Sequence, residues 1–103
     1  DEILSKLNKG LWAEDKTFID NAMGSGNFLI EIYRWKVEKY KHEPTKALST
    51  IYGVELMADN TAEAKMRLYN MAKEYGVDRN KAQKILQRNI VCHDALTYDY
   101  TFE

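Results

Sequence analysis

The sequence predicts an α/β protein with a partial parallel sheet of about three strands and flanking helices. Three observations lead there. Short apolar runs at Phe18–Ile19, Ile51–Val54 and Ile90–Cys92 each lead into an acid: Asp20, Glu55 and Asp94. Helical stretches separate them, and strands that alternate with helices imply parallel pairing through right-handed crossovers. A small-residue turn holding Gly24 and Gly26 joins the first run to a long amphipathic stretch.

In chain order, Asp1 to Lys9 reads as a short helix with Ile3, Leu4 and Leu7 on one face, closed by Gly10. Leu11 and Trp12 would pack it onto the body. The first strand ends at Asp20 and the glycine turn follows. The next helix is expected to run from Gly26 to about His42. Its apolar stripe is Phe28, Leu29, Ile32, Tyr33, Val37 and Tyr40, with Glu31, Arg34, Lys36, Glu38, Lys39 and Lys41 opposite. Pro44 blocks further helix. Ser49 to Glu55 reads as the second strand.

Ala58-Asp59-Asn60-Thr61 then starts a helix that continues to about Tyr75, with Ala64, Leu68 and Met71 at helical spacing and Gly76 as its stop. Asp78 caps a shorter helix carrying Ala82, Ile85 and Leu86. Ile90 to Cys92 form the third strand, with Cys92 as a core residue. The tail from Ala95 to Glu103 shows no clear periodicity. The pattern is α-β-α-β-α-α-β.

A chain of 103 residues fits one modest domain. A net charge of -1 provides no global basic field, so a nucleic-acid partner would need a local patch or another part of the protein. No apolar run approaches the ~20 residues of a membrane span, and no secretory signal opens the chain. One cysteine excludes an internal disulfide. His42 and His93 have no metal-ligating partner at useful spacing, and both read as surface or satisfied histidines. The basic run Arg34 to His42 reads as a solvated helix face, since Glu38 interrupts it and half of it belongs to the buried stripe.

Ligands of parallel α/β sheets bind beyond the carboxyl ends of the strands, where all three acids lie. The glycine turn lacks the third glycine of a dinucleotide fold, and no Lys-Ser or Lys-Thr follows it as in a P-loop. Glu55 lies 35 residues after Asp20, against the ~20 usual between such a glycine motif and its acid. A carboxylate after the second strand suits ribose hydroxyls. An acid directly before the loop would repel pyrophosphate and welcome an amino group or a sulfonium. That electrostatic preference points to S-adenosylmethionine.

Asp20-Asn21-Ala22-Met23-Gly24-Ser25-Gly26-Asn27-Phe28-Leu29 resembles the first motif of adenine-specific N6 DNA methyltransferases, usually Asp-Pro-Ala-Cys-Gly-Ser-Gly-Asn-Phe-Leu. Ile51-Tyr52-Gly53-Val54-Glu55 resembles the second motif, Ala62 to Leu68 the helix after it, and Ile90 to Leu96 the third. Asp1 to Leu7 is similar to the helix before the first motif. Asn21 and Met23 stand where the family has proline and cysteine, which bears on loop rigidity.

The resemblance implies a Rossmann-like S-adenosylmethionine-dependent methyltransferase fold. It implies a single partial domain over 1–103: helix 1–9, a cofactor-binding βαβαβ region 16–96 and a tail 97–103. Asp20 and the backbone of Ala22, Gly24 and Gly26 would hold the methionine end. Glu55 would take the ribose hydroxyls, and Leu56 would cover the adenine. Asp94 would accept from the adenine amino group, with the Ala95 N–H donating to the ring. Phe28 would supply the aromatic at the helix start.

The family's Asn/Asp-Pro-Pro-Tyr/Phe motif is absent, the single proline being Pro44. No catalytic residue is therefore assigned, and this stretch is expected to be inactive alone, ending about where a fourth strand would begin. DNA would be engaged by the missing part of the full-length protein, in the cytoplasm of a bacterial or phage-infected cell. The unpaired edge of the first strand is expected to meet a partner: the missing half, a second copy or a rearranged element. The alternatives are a methyltransferase acting on RNA, protein or a small molecule, and a non-catalytic half-domain that binds through this edge.

Overall fold

The computed structural model describes residues 16–94, so the expected helix 1–9, Ala95 and the tail lie outside the described residues. Three strands form a parallel sheet in the order β1 (Phe18–Asp20), β2 (Ile51–Glu55), β3 (Ile90–Cys92). Phe18 pairs with Ile51 and Asp20 with Gly53, while Gly53 pairs with Ile90 and Glu55 with Cys92. Sequence-order strands joined by crossovers of one hand put the connecting helices on one face. Helix α1 (Asn27–Arg34) leads out of the glycine turn, α2 (Pro44–Ser49) precedes β2, and α3 (Ala58–Glu74) and α4 (Arg79–Asn89) precede β3. The core is Leu29, Ile32 and Tyr33 of α1, Leu48, Ile51, Ala64, Leu68, Ala82, Leu86 and Ile90.

The first helix differs from expectation. It is α-helical only to Arg34 and continues as a π-helical turn, Trp35–Lys39, with the Tyr40 N–H bonded to the Trp35 carbonyl at 2.9 Å. Lys41 then turns back at φ 59°, and the helix ends short of His42. Lys36, expected on the solvent side, is buried. Its ammonium donates to Thr50 Oγ1 at 2.8 Å and to the Lys16 carbonyl at 2.9 Å, 5.1 Å from the Phe18 ring centre. Burial lowers its pKa to about 8.

Pro44 starts a helix rather than only ending one. Its missing N–H is no loss at the first helical position, and the preceding Glu43 side chain caps α2 by accepting from the Lys46 N–H at 2.9 Å. Ser49 therefore belongs to α2, and β2 starts at Ile51. Cys92 is exposed, not core, because it ends β3, and its thiol reaches the Leu56 carbonyl at 3.4 Å. His42 is buried with Nδ1 unpartnered among the described residues.

Helices α3 and α4 follow the expected bounds. Gly76, at φ 88°, terminates α3, and Asp78 caps α4 by accepting from the Lys81 N–H at 3.1 Å. No helix among the described residues is long and apolar enough to cross a membrane.

Candidate functional site

The three acids lie at the carboxyl ends of neighbouring strands. Asp20 closes β1, Glu55 closes β2, and Asp94 follows β3 on exposed backbone. Adjacent strands are about 4.8 Å apart, and the register sets Glu55 two residues further along than Asp20.

Each acid at the first two strand ends orders backbone. Asp20 Oδ1 accepts from the Ala22 N–H at 3.0 Å, which forms the turn that leaves the sheet. Glu55 Oε1 accepts from the Gly24 N–H at 3.1 Å, tying the glycine loop to β2. Its Oε2 accepts from the Met57 N–H and from Asn60 Nδ2, both at 3.1 Å. The Asn60 amide, the Met57 N–H and the Gly24 N–H all favour the carboxylate and hold its pKa below the usual range.

The glycines serve different ends. Gly24 has φ 55° and open space where a side chain would be. Gly26 has φ 90°, and a Cβ there would sit 3.0 Å from Ala64 Cβ, so it lets α1 approach α3 rather than a ligand. Its N–H bonds to the Met23 carbonyl at 3.0 Å. Gly53, read in the sequence as an ordinary strand position, makes room for Met23 and Leu29. A Cβ there would overlap Met23 Sδ and come within 2.8 Å of Leu29 Cδ1. Met23 is thus a core plug beneath the loop, in the place of the expected cysteine.

Sequence reasoning missed Arg67. From α3 its guanidinium donates to the Ser25 carbonyl at 3.1 Å and to Asn27 Oδ1 at 2.6 Å, fixing the loop's exit into α1. Asn60, the partner of Glu55, was read only as a helix-start residue. Phe28 is 37% exposed and Leu56 68%, so both present apolar surface beside the loop. A cleft of about 180 Å³ is lined by Phe18, Ile19, Asp20, Asn21 and Phe28 among others, on β1, which among the described residues pairs with β2 alone. Larger grooves of about 380 and 400 Å³ lie between helices, away from the strand ends, and hold none of the three acids.

The loop N–H groups of Ala22, Gly24 and Gly26 are all satisfied internally. An anion would need such groups to point at it. The Met23, Ser25 and Gly26 carbonyls already accept from the Gly26 N–H, Arg67 and the Ile30 N–H, so the acceptor capacity left at the loop is chiefly that of the Asp20 carboxylate, which suits a cation. No protein-family model, curated protein or solved structure matches the chain.

Proposed function

We propose that this chain is the S-adenosylmethionine-binding portion of a DNA adenine-N6 methyltransferase of restriction-modification or phage type, built on a Rossmann-like methyltransferase fold. One observation carries the cofactor: a strand-end loop in which the Ala22, Met23, Gly24 and Gly26 N–H groups are occupied, beside the Asp20 carboxylate, which keeps acceptor capacity, and next to a second strand ending in Glu55. An ammonium-bearing nucleoside fits that polarity, and a pyrophosphate does not. The adenine-DNA assignment rests on the motif from Asp20 to Leu29.

In this reading Asp20, with the backbone of Ala22 and Gly24, receives the amino-acid end, and Gly26, whose N–H and carbonyl are bonded to Met23 and Ile30, shapes the loop. Glu55 takes the ribose through the lone pair that Oε1 keeps after accepting from Gly24. Leu56, Phe28 and Asp94 border the adenine. Bound S-adenosylmethionine supplies the methyl group, and this chain's part is to hold and orient it. The groups that present the target adenine belong to the rest of the full-length protein.

Calorimetry on the chain tests this. S-adenosylmethionine and S-adenosylhomocysteine should bind and NAD should not. Tighter binding of NAD, or no binding of the first two, would sink the proposal. A further observation favours the edge-binding role as an accompaniment: among the described residues β1 pairs with β2 alone, and Ile19 on it is 53% exposed.

A further inference from the structure

Helix α4 has a charge pattern that the strand-end site does not use. It holds four of the fifteen Lys and Arg of the chain and none of the sixteen Asp and Glu. Arg79, Lys81, Lys84 and Arg88 are all exposed, interleaved with the exposed amides Asn80, Gln83 and Gln87. The chain as a whole is at -1, so this is segregation of charge and not a general basic character.

The helix is firmly mounted. Ala82, Leu86 and Asn89 face inward, and Asn89 Nδ2 donates to the Ser49 and Ile51 carbonyls, each at 3.1 Å. A groove of about 380 Å³ runs beside it, where Lys65, Met66 and Tyr69 of α3 meet Gln83 and Gln87. The turn Tyr75–Gly76–Val77–Asp78 joins the two helices. DNA-reading helix pairs are joined by a similar turn, often with glycine, and their second helix enters the major groove.

We propose that the outward face of α4 docks on the phosphate backbone of duplex DNA. Eleven residues span about 16 Å, and the major groove, about 12 Å wide, admits such a helix. Lysine and arginine neutralise phosphates, while asparagine and glutamine are suited to base edges. The outward half of the helix has no large apolar side chain to insert into a lipid surface. Glu43 lies near Lys81, Arg79 Nε donates to the Tyr69 hydroxyl at 3.2 Å and Arg88 Nε to Asn89 Oδ1 at 2.8 Å, both guanidiniums keeping further N–H groups, so among the described residues the cation of α4 with no partner is Lys84, with Lys65 across the groove. This inference does not rest on the cofactor reading.

Fluorescence anisotropy of the chain with a labelled duplex of about 20 bp, between about 50 and 200 mM salt, tests it. Three phosphate contacts give a log–log slope of about -3 and a roughly 40-fold loss of affinity over that range. Lys84→Glu should weaken binding about tenfold and cut the slope by about one. Lys39→Glu, on the π-helical turn, should leave binding unchanged. Lys84→Gln, with its melt checked against the parent chain, separates lost contact from misfolding. The proposal is overturned by absent binding at the lowest salt, by Lys84→Glu binding like the parent, or by Lys39→Glu weakening binding equally. Tighter binding of a single strand or of polyglutamate would also overturn it.

Discussion

Replacing Glu55 separates a structural carboxylate from a ligand-binding one. Glu55→Ala strands three donors: the Gly24 N–H, the Met57 N–H and Asn60 Nδ2. The site is open enough for water to take them up, so the stability cost sits near the low end for charge-assisted bonds, about 1–2 kcal/mol. If Glu55 also accepts the ribose hydroxyls, affinity for S-adenosylmethionine falls by a further 1.5–3 kcal/mol, roughly 10- to 150-fold. Urea unfolding reads the first quantity, and calorimetry well below the melt reads the second. A variant less stable by the stated amount that binds with parental affinity refutes the ribose role and leaves Glu55 a loop tie. Acid provides a second readout. The folded pKa lies below the usual glutamate value of 4.5, so the stabilisation is fully present above about pH 4.5 and is lost as pH falls through the folded value. The stability gap between parent and Glu55→Gln should close on acidification below that window.

Three other perturbations test the frame around the site. Gly26→Ala combines φ 90° with a 3.0 Å approach to Ala64 and should cost about 2–3 kcal/mol in urea unfolding. Gly24→Ala, at φ 55° with open space, should cost only about 1 kcal/mol. Lys36 loses its proton more readily folded than unfolded, so between about pH 8 and 10.5 the unfolded state binds more protons and stability should rise with pH. Lys36→Met should abolish that rise in denaturation curves taken across the window. Ile19→Lys, on β1, which among the described residues pairs on one side only, should reduce concentration-dependent self-association in sedimentation, because edge lysines oppose strand pairing.

The strand ends, the glycine turn and helices α3 and α4 were legible because period and punctuation agree there. Asp78 and Gly76, for example, stand where a cap and a stop belong. Lys36 was misread because residue type was weighed above spacing. It lies seven residues after Leu29 and three after Tyr33, squarely on the buried stripe. Asn89 repeats the pattern at the end of the Ala82–Leu86 stripe. Both polar groups reach backbone carbonyls flanking strand starts, at Lys16, Ser49 and Ile51, and the Ile51 carbonyl is buried. A polar residue on an apolar stripe is thus a readable sign of such a staple. Arg67 gave no comparable sign, since its partners are 40 or more residues away in sequence. The π-helical turn was also hidden, because nothing in local propensity marks the added residue.

Both strand-end acids have structural work, and the decisive quantity is the acceptor capacity each has left. A carboxylate offers about four lone-pair sites. Asp20 gives one to Ala22, and Glu55 gives one on Oε1 and both on Oε2. Asp20 therefore keeps most of its capacity at the start of the loop, where the proposed ammonium would be held. Glu55 keeps one site, enough for a single hydroxyl. Bidentate capture of a ribose requires one of its donors to let go, and the Asn60 side chain is the freest of the three to turn away. In the proposed reading, ligand binding would thereby be coupled to the start of α3, at an expected cost in affinity of about one hydrogen bond, ~1 kcal/mol. A simple strand-to-helix turn would show the same three bonds at Glu55 with no such exchange, so the side-chain amide of Asn60 is where the two accounts part.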